Sequence, residues 1–130
     1  MDRFNKVINF SGPWGENIPV NISFTKNTHN ISSKVFNTIN MRIPAIIMNI
    51  EKNENSIRSI IKSVDVLDKE YCPTHDSYFP VYVTNISNDC LGSLKISIDG
   101  YINIYSDTKE GTFSIETGRY GIYDTEIEYS

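Results

Sequence analysis

Asp99-Gly100 lies between two alternating apolar segments, Leu94-Lys95-Ile96-Ser97-Ile98 and Tyr101-Ile102-Asn103-Ile104-Tyr105. An Asp-Gly pair in that setting is the strongest short-range hairpin signal. The type I′ turn it favours needs positive φ at both central residues, which Asp and Gly tolerate. The flanking segments are therefore expected to pair antiparallel, with Leu94, Ile96 and Ile98 facing inward.

The same period of two recurs along the chain. Ile18, Val20, Ile22 and Phe24 alternate with Pro19, Asn21, Ser23 and Thr25, as do Phe79, Val81 and Val83 with Tyr78, Pro80 and Tyr82. Lys6–Phe10 and Thr112–Ile115 read as further short strands. Ser11-Gly12-Pro13-Trp14-Gly15 is punctuation between strands, with Trp14 a lid on the core. Lys26–Asn30 reads as a polar turn, and Ile31–Ile43 as one or two strands. The continuous apolar run Ala45–Ile50 suits a strand buried on both faces. Ile57, Ile60, Ile61 and Val64 fall at helical spacing, yet a strand through Ile57–Ile61 fits almost as well. Asp65–Asp76 is a long connection. The last strand, Gly121–Tyr129, puts Tyr123, Thr125, Ile127 and Tyr129 on one face and Asp124, Glu126 and Glu128 on the other. About eight short strands result, at the spacing of an all-β sandwich or barrel. Composition agrees, since alanine occurs once (Ala45) and leucine only at Leu67, Leu91 and Leu94. The best helix formers are thus largely missing.

A chain of 130 residues has room for one domain, 1–130. Its net charge of −4, with lysines scattered among acids, argues against a nucleic-acid partner. No apolar run approaches the ~20 residues of a membrane span, so no membrane insertion is expected. The segment Met1–Lys6 lacks the features of a signal peptide. Cys72 and Cys90 are accordingly read as free thiols rather than a disulfide.

Catalytic chemistry finds little support. Cys72, His75 and Asp76 are close in sequence, but the available zinc set, Cys72, His75, Cys90 and His29, matches no zinc-motif spacing. Asp65, Asp68 and Glu70, and again Asp107 and Glu110, supply carboxylates that nothing aligns across a cleft. A calcium loop at Asp107–Gly111 is interrupted by Lys109. The expectation is no enzyme, no catalytic residue, no metal and no cofactor. The surface candidates are tyrosines: Tyr101, Tyr105, Tyr120 and Tyr123, with Arg119 beside Tyr120 between Gly118 and Gly121. Tyrosine offers flat amphipathic contact area at low entropic cost.

The order of motifs in the C-terminal half carries a resemblance. Phe79-Pro80-Val81-Tyr82-Val83, a polar turn, Gly92-Ser93-Leu94-Lys95-Ile96, Asp99-Gly100 and Ile102-Asn103-Ile104-Tyr105 resemble the terminal, receptor-binding head domain of viral fibres, phage tail fibres in particular. Ser11–Trp14, Ile18–Ile22 and Gly118–Tyr123 fit the start and the final strand of such heads. Glu51–Ser63 has no counterpart there. The resemblance implies a jelly-roll-like antiparallel β-sandwich, a homotrimer, a place on the virion surface, and binding to a host surface component, a glycan or a protein. An assembly module without a receptor, or a small hydrolase acting on surface polysaccharide, are the rival expectations.

Overall fold

The computed structural model describes residues 2–12, 17–44, 46–50, 59–84, 89–106, 111–116 and 121–125. Alternation of inward and outward side chains produces ten strands among them: β1 (Asp2–Ser11), β2 (Ile18–Ile31), β3 (Lys34–Arg42), β4 (Ile46–Ile50), β5 (Ser59–Ser63), β6 (Ser77–Thr84), β7 (Asp89–Ile96), β8 (Ile102–Ser106), β9 (Gly111–Glu116) and β10 (Gly121–Thr125). One 3₁₀ turn, Lys69–Tyr71, interrupts the connection between β5 and β6.

All strand pairs are antiparallel, in the hydrogen-bonded order β10-β3-β2-β1-β5-β8-β7-β6-β9-β4. The pairs β6/β7, β5/β8, β4/β9 and β3/β10 are nested about the β6–β7 hairpin. Such nesting is what a long hairpin rolled on itself generates, and it makes the fold a jelly-roll-like all-β sandwich. The β1–β2 hairpin is inserted between β3 and β5. Ile8, Phe10, Ile22, Phe24, Ile39 and Met41 from one part of the sheet share a single buried cluster with Val81, Leu94, Ile96, Ile102 and Ile104 from the other. Burying aliphatic and aromatic side chains at about 25 cal/mol per Å² is the main force holding the layers together.

The segment from Val64 to Asp76 is a strap across this core. Asp65 accepts hydrogen bonds from the Asn9 amide N–H (2.8 Å) and side chain (3.0 Å). Lys6 donates to the Val66 carbonyl (3.1 Å) and pairs with Asp68 (3.2 Å). Leu67 is buried, and Tyr71 stacks on Phe4, which stacks on Phe24. Thr74 N–H reaches the Asp124 carbonyl, and Pro73 bridges to Thr125. Acids that looked like catalytic candidates therefore fasten the strap.

Several local expectations change. The Asp99-Gly100 hairpin forms, but only Gly100 has positive φ (+91°). Gly100 N–H donates to the Ser97 carbonyl, and Ser97 N–H to that of Tyr101, so the loop is Ile98-Asp99-Gly100. This is the three-residue class, in which only the last loop residue is left-handed. Ile98 thus sits at the loop tip, 54% exposed, instead of facing inward. Lys26–Asn30 is strand, not turn: the β2–β3 reversal falls at Ser32-Ser33, both with positive φ (49° and 68°). Among the described residues β4 is an edge strand paired with β9, and one face of it is uncovered: Ile46 is buried while Ile47 is 71% exposed. Ile61 belongs to a strand, and the helical stripe through it is not used, since Val64 points to solvent. Trp14, Ile57 and Glu126–Tyr129 lie outside the described residues.

Candidate binding face

Strands that bury one set of residues must present the alternate set outward. On β6 the inward Phe79 and Val81 leave Tyr78, Pro80 and Tyr82 outside. On β8 the inward Ile102 and Ile104 leave Asn103 and Tyr105 outside, with Tyr101 just before the strand. Register aligns these residues across four strands. Tyr78, Lys95, Asn103 and Lys62 form one row, and Pro80, Ser93, Tyr105 and Ile60 the next.

Tyr78, Tyr82 and Tyr101 are exposed by 64%, 48% and 47%. Tyr78 and Tyr82, four residues apart on one strand, are separated by about 13 Å. Pro80 stands between them on the same exposed face. Polar groups stand among the rings. Asn103 Nδ2 donates a long hydrogen bond to Tyr105 Oη (3.5 Å). The Lys95 ammonium lies 5.8 Å from the centre of the Tyr78 ring and 3.5 Å from Asp76. The neighbouring Asp76 carboxylate holds the Lys95 pKa above its ordinary value, so this cation is kept charged. Asp76 is placed in turn by the Ile98 N–H, which donates to it at 3.0 Å. The face can therefore stack on a flat apolar surface and hydrogen-bond its edges.

Of the residues expected to bind, Tyr101 and Tyr105 belong to this face. Tyr123 is on edge strand β10 in register with Ile39, and four strands separate β10 from β8 in the sheet order. Arg119 and Tyr120 lie outside the described residues. Tyr78, Tyr82, Lys95 and Asn103 are additions. Their signal was present in the alternation that marks Phe79, Val81 and Val83 as inward, because the intervening residues must then face out.

The thiol candidate is differently engaged. Cys72 is a free cysteine whose Sγ approaches the Leu67 and Asp68 carbonyls (3.6 and 3.5 Å), not His75. Burial, with Asp99 and Asp68 nearby, pushes its pKa up, the wrong direction for a thiolate nucleophile. Among the described residues no three His, Cys, Asp or Glu side chains converge as a metal site. Among the described residues no helix is long and apolar enough to cross a membrane.

Comparison with known proteins returns no match: no protein family, no curated protein and no solved structure. The fold and this face define the class, a jelly-roll-like all-β domain with an outward tyrosine surface.

Proposed function

We propose that this chain is a non-enzymatic attachment module that binds a saccharide on a host surface through the outer face of β5, β8, β7 and β6. The observation that carries the reading is the row geometry: Tyr78, Tyr82, Tyr101 and Tyr105 surround Lys95, Asn103 and Ser93 on a hydrogen-bonded sheet. Sugar rings present apolar C–H faces and hydroxyl edges, and this surface offers aromatic planes and donors to match. A rigid strand platform lowers the ordering cost of binding. The motif order shared with viral fibre heads supports a homotrimer displayed on a virion. Neither nucleic acid nor a bilayer interior is the partner in this reading.

A glycan array read with the intact chain, followed by titration of the best binder, tests it. Tyr78→Ala and Tyr105→Ala should each weaken binding at least about tenfold, the loss expected of a central aromatic contact. Unchanged binding in the double variant would remove the face from the proposal. Light scattering at micromolar concentration should give three times the 14.8 kDa chain mass, and a strict monomer would overturn the trimer.

A second reading, an assembly module with no host ligand, is favoured by one feature. Among the described residues one edge of β4 is unpaired, and β4 carries the most exposed of the large apolar side chains described, Ile47. Open edges invite pairing with another chain. A trimer that Ile47→Lys dissolves, together with silence on glycans and host cells, would select this reading over the first.

A further inference from the structure

The outer face of β1, β2 and β3 differs from the tyrosine face. Inward residues Phe4, Ile8, Ile22, Phe24, Ile39 and Met41 leave Arg3, Asn5, Ser23, Thr25 and Arg42 on the opposite side. Register puts Arg3 beside Thr25, and Asn5 beside Ser23, which is itself beside Arg42. The two arginines therefore stand diagonally across the β2 strand, two strands and two residues apart. Their Cα atoms are about 12 Å from one another by sheet spacing, a gap two extended arginine side chains can span. Both line one open groove of roughly 360 Å³, together with Asn5, Ser23 and Thr25.

Neither guanidinium has an ion-pair or hydrogen-bond partner among the described residues. Asp2, next to Arg3 in sequence, is aligned with Lys26 and lies 4.0 Å from its ammonium. Lys6 and Lys95, on other parts of the sheet, are paired with Asp68 and Asp76. Two unpaired, permanently charged forks over a shared groove are a place for an anion, and their planar geometry suits a carboxylate. The rest of the groove narrows the class. An amide and two hydroxyls stand between the arginines, and Phe4 and Phe24, stacked on each other, also line the groove. A ligand that carries hydroxyls beside an apolar ring face matches such a mixed lining. The volume is at the small end of ligand sites, room for about one or two sugar rings.

We propose that the Arg3–Arg42 groove is a second binding site, which takes a carboxylated sugar of the uronic-acid type, the carboxylate between the guanidiniums and the ring hydroxyls on Asn5, Ser23 and Thr25. The site uses strands apart from β6–β8, so it stands or falls independently of the tyrosine face.

Titration of the full chain with a methyl glucuronoside, a methyl glucoside, acetate and inorganic sulfate tests the assignment, followed by amide NMR shifts or calorimetry. The glucuronoside should saturate, perturb amides of β1–β3, and bind at least about tenfold tighter than the uncharged glucoside. Arg3→Gln and Arg42→Gln should each weaken it about 10- to 100-fold, the loss of one charge-assisted hydrogen-bond pair. Added salt should weaken binding as well. Both arginines are exposed, so the variants should keep the parent circular dichroism and melting temperature. Equal affinity for the glucoside, full binding by the double Gln variant, or no saturation at millimolar glucuronoside would overturn the site. Sulfate or acetate binding as tightly as the glucuronoside would overturn the saccharide assignment and leave a bare anion site.

Discussion

Ser63 Oγ accepts a hydrogen bond from the backbone N–H of Ile102 at 2.8 Å, in the buried interior. The β5–β8 ladder ends one step earlier, at Lys62 opposite Asn103. The hydroxyl takes over where the backbone partner runs out, and it holds the start of β8 against the end of β5. Ser63→Ala would strand a buried N–H, a loss of about 1–3 kcal/mol. Urea unfolding should show that drop in midpoint with little change in slope.

Gly100 packs closely under the strap. A Cβ there would come within 2.9 Å of Cys72 Sγ and of the Leu67 backbone nitrogen, and 3.0 Å of the Leu67 carbonyl oxygen. Its φ of +91° adds strain of about 1–2 kcal/mol for any L side chain. Gly100→Ala should cost more than about 2 kcal/mol, because backbone atoms of the strap must shift and the Leu67 N–H bond to the Gly100 carbonyl (3.1 Å) with them. Cys72→Ala in the same chain relieves only the sulfur contact. The double variant should therefore recover only a minor part of the loss in thermal melts.

The β2–β3 reversal is built against preference. Ser32 and Ser33 both adopt positive φ in a two-residue turn, with Ile31 and Lys34 paired on either side. Asn-Gly is the natural occupant of that geometry. Replacing Ser32-Ser33 by Asn-Gly should stabilise the protein by about 0.5–1.5 kcal/mol, through relief of strain at both positions. A lowered melting temperature would mean that the serines do more there than turn the chain.

That turn also shows where sequence reasoning stops. Period-two alternation located most core strands, because each apolar residue inward forces its neighbour outward. The Asp99-Gly100 hairpin followed from turn chemistry, and its detail differed because packing under Leu67 and Cys72 demands left-handed backbone at Gly100 alone. Ser-Ser has no preference for the positive φ this turn needs, so the polar stretch Lys26–Asn30 is the more visible stopping place, although it is strand. Tyr101 and Tyr105 were legible as surface candidates from composition. Their partners Tyr78, Lys95 and Asn103 depend on which strands become neighbours, a property of the nested pairing. The Arg3–Arg42 groove is of the same kind, since 39 positions of chain separate residues that two ladder registers bring together.

Asp65 makes the strap sensitive to acid. Its carboxylate accepts two hydrogen bonds from Asn9, first from the backbone N–H and then from the side-chain amide, and these hold its pKa below the ordinary 3.8. A carboxylate whose folded pKa is depressed binds protons less readily folded than unfolded. Its stabilising contribution is complete above the unfolded value and is lost as pH falls through the lowered folded one. Urea midpoints should therefore decline below about pH 4, and Asp65→Asn should flatten part of that decline. At neutral pH the variant should be the less stable protein, with the difference closing as the medium is acidified. The same gap between the two chains at pH 3 and pH 7 would show that the Asp65 charge does not fasten the strap to β1.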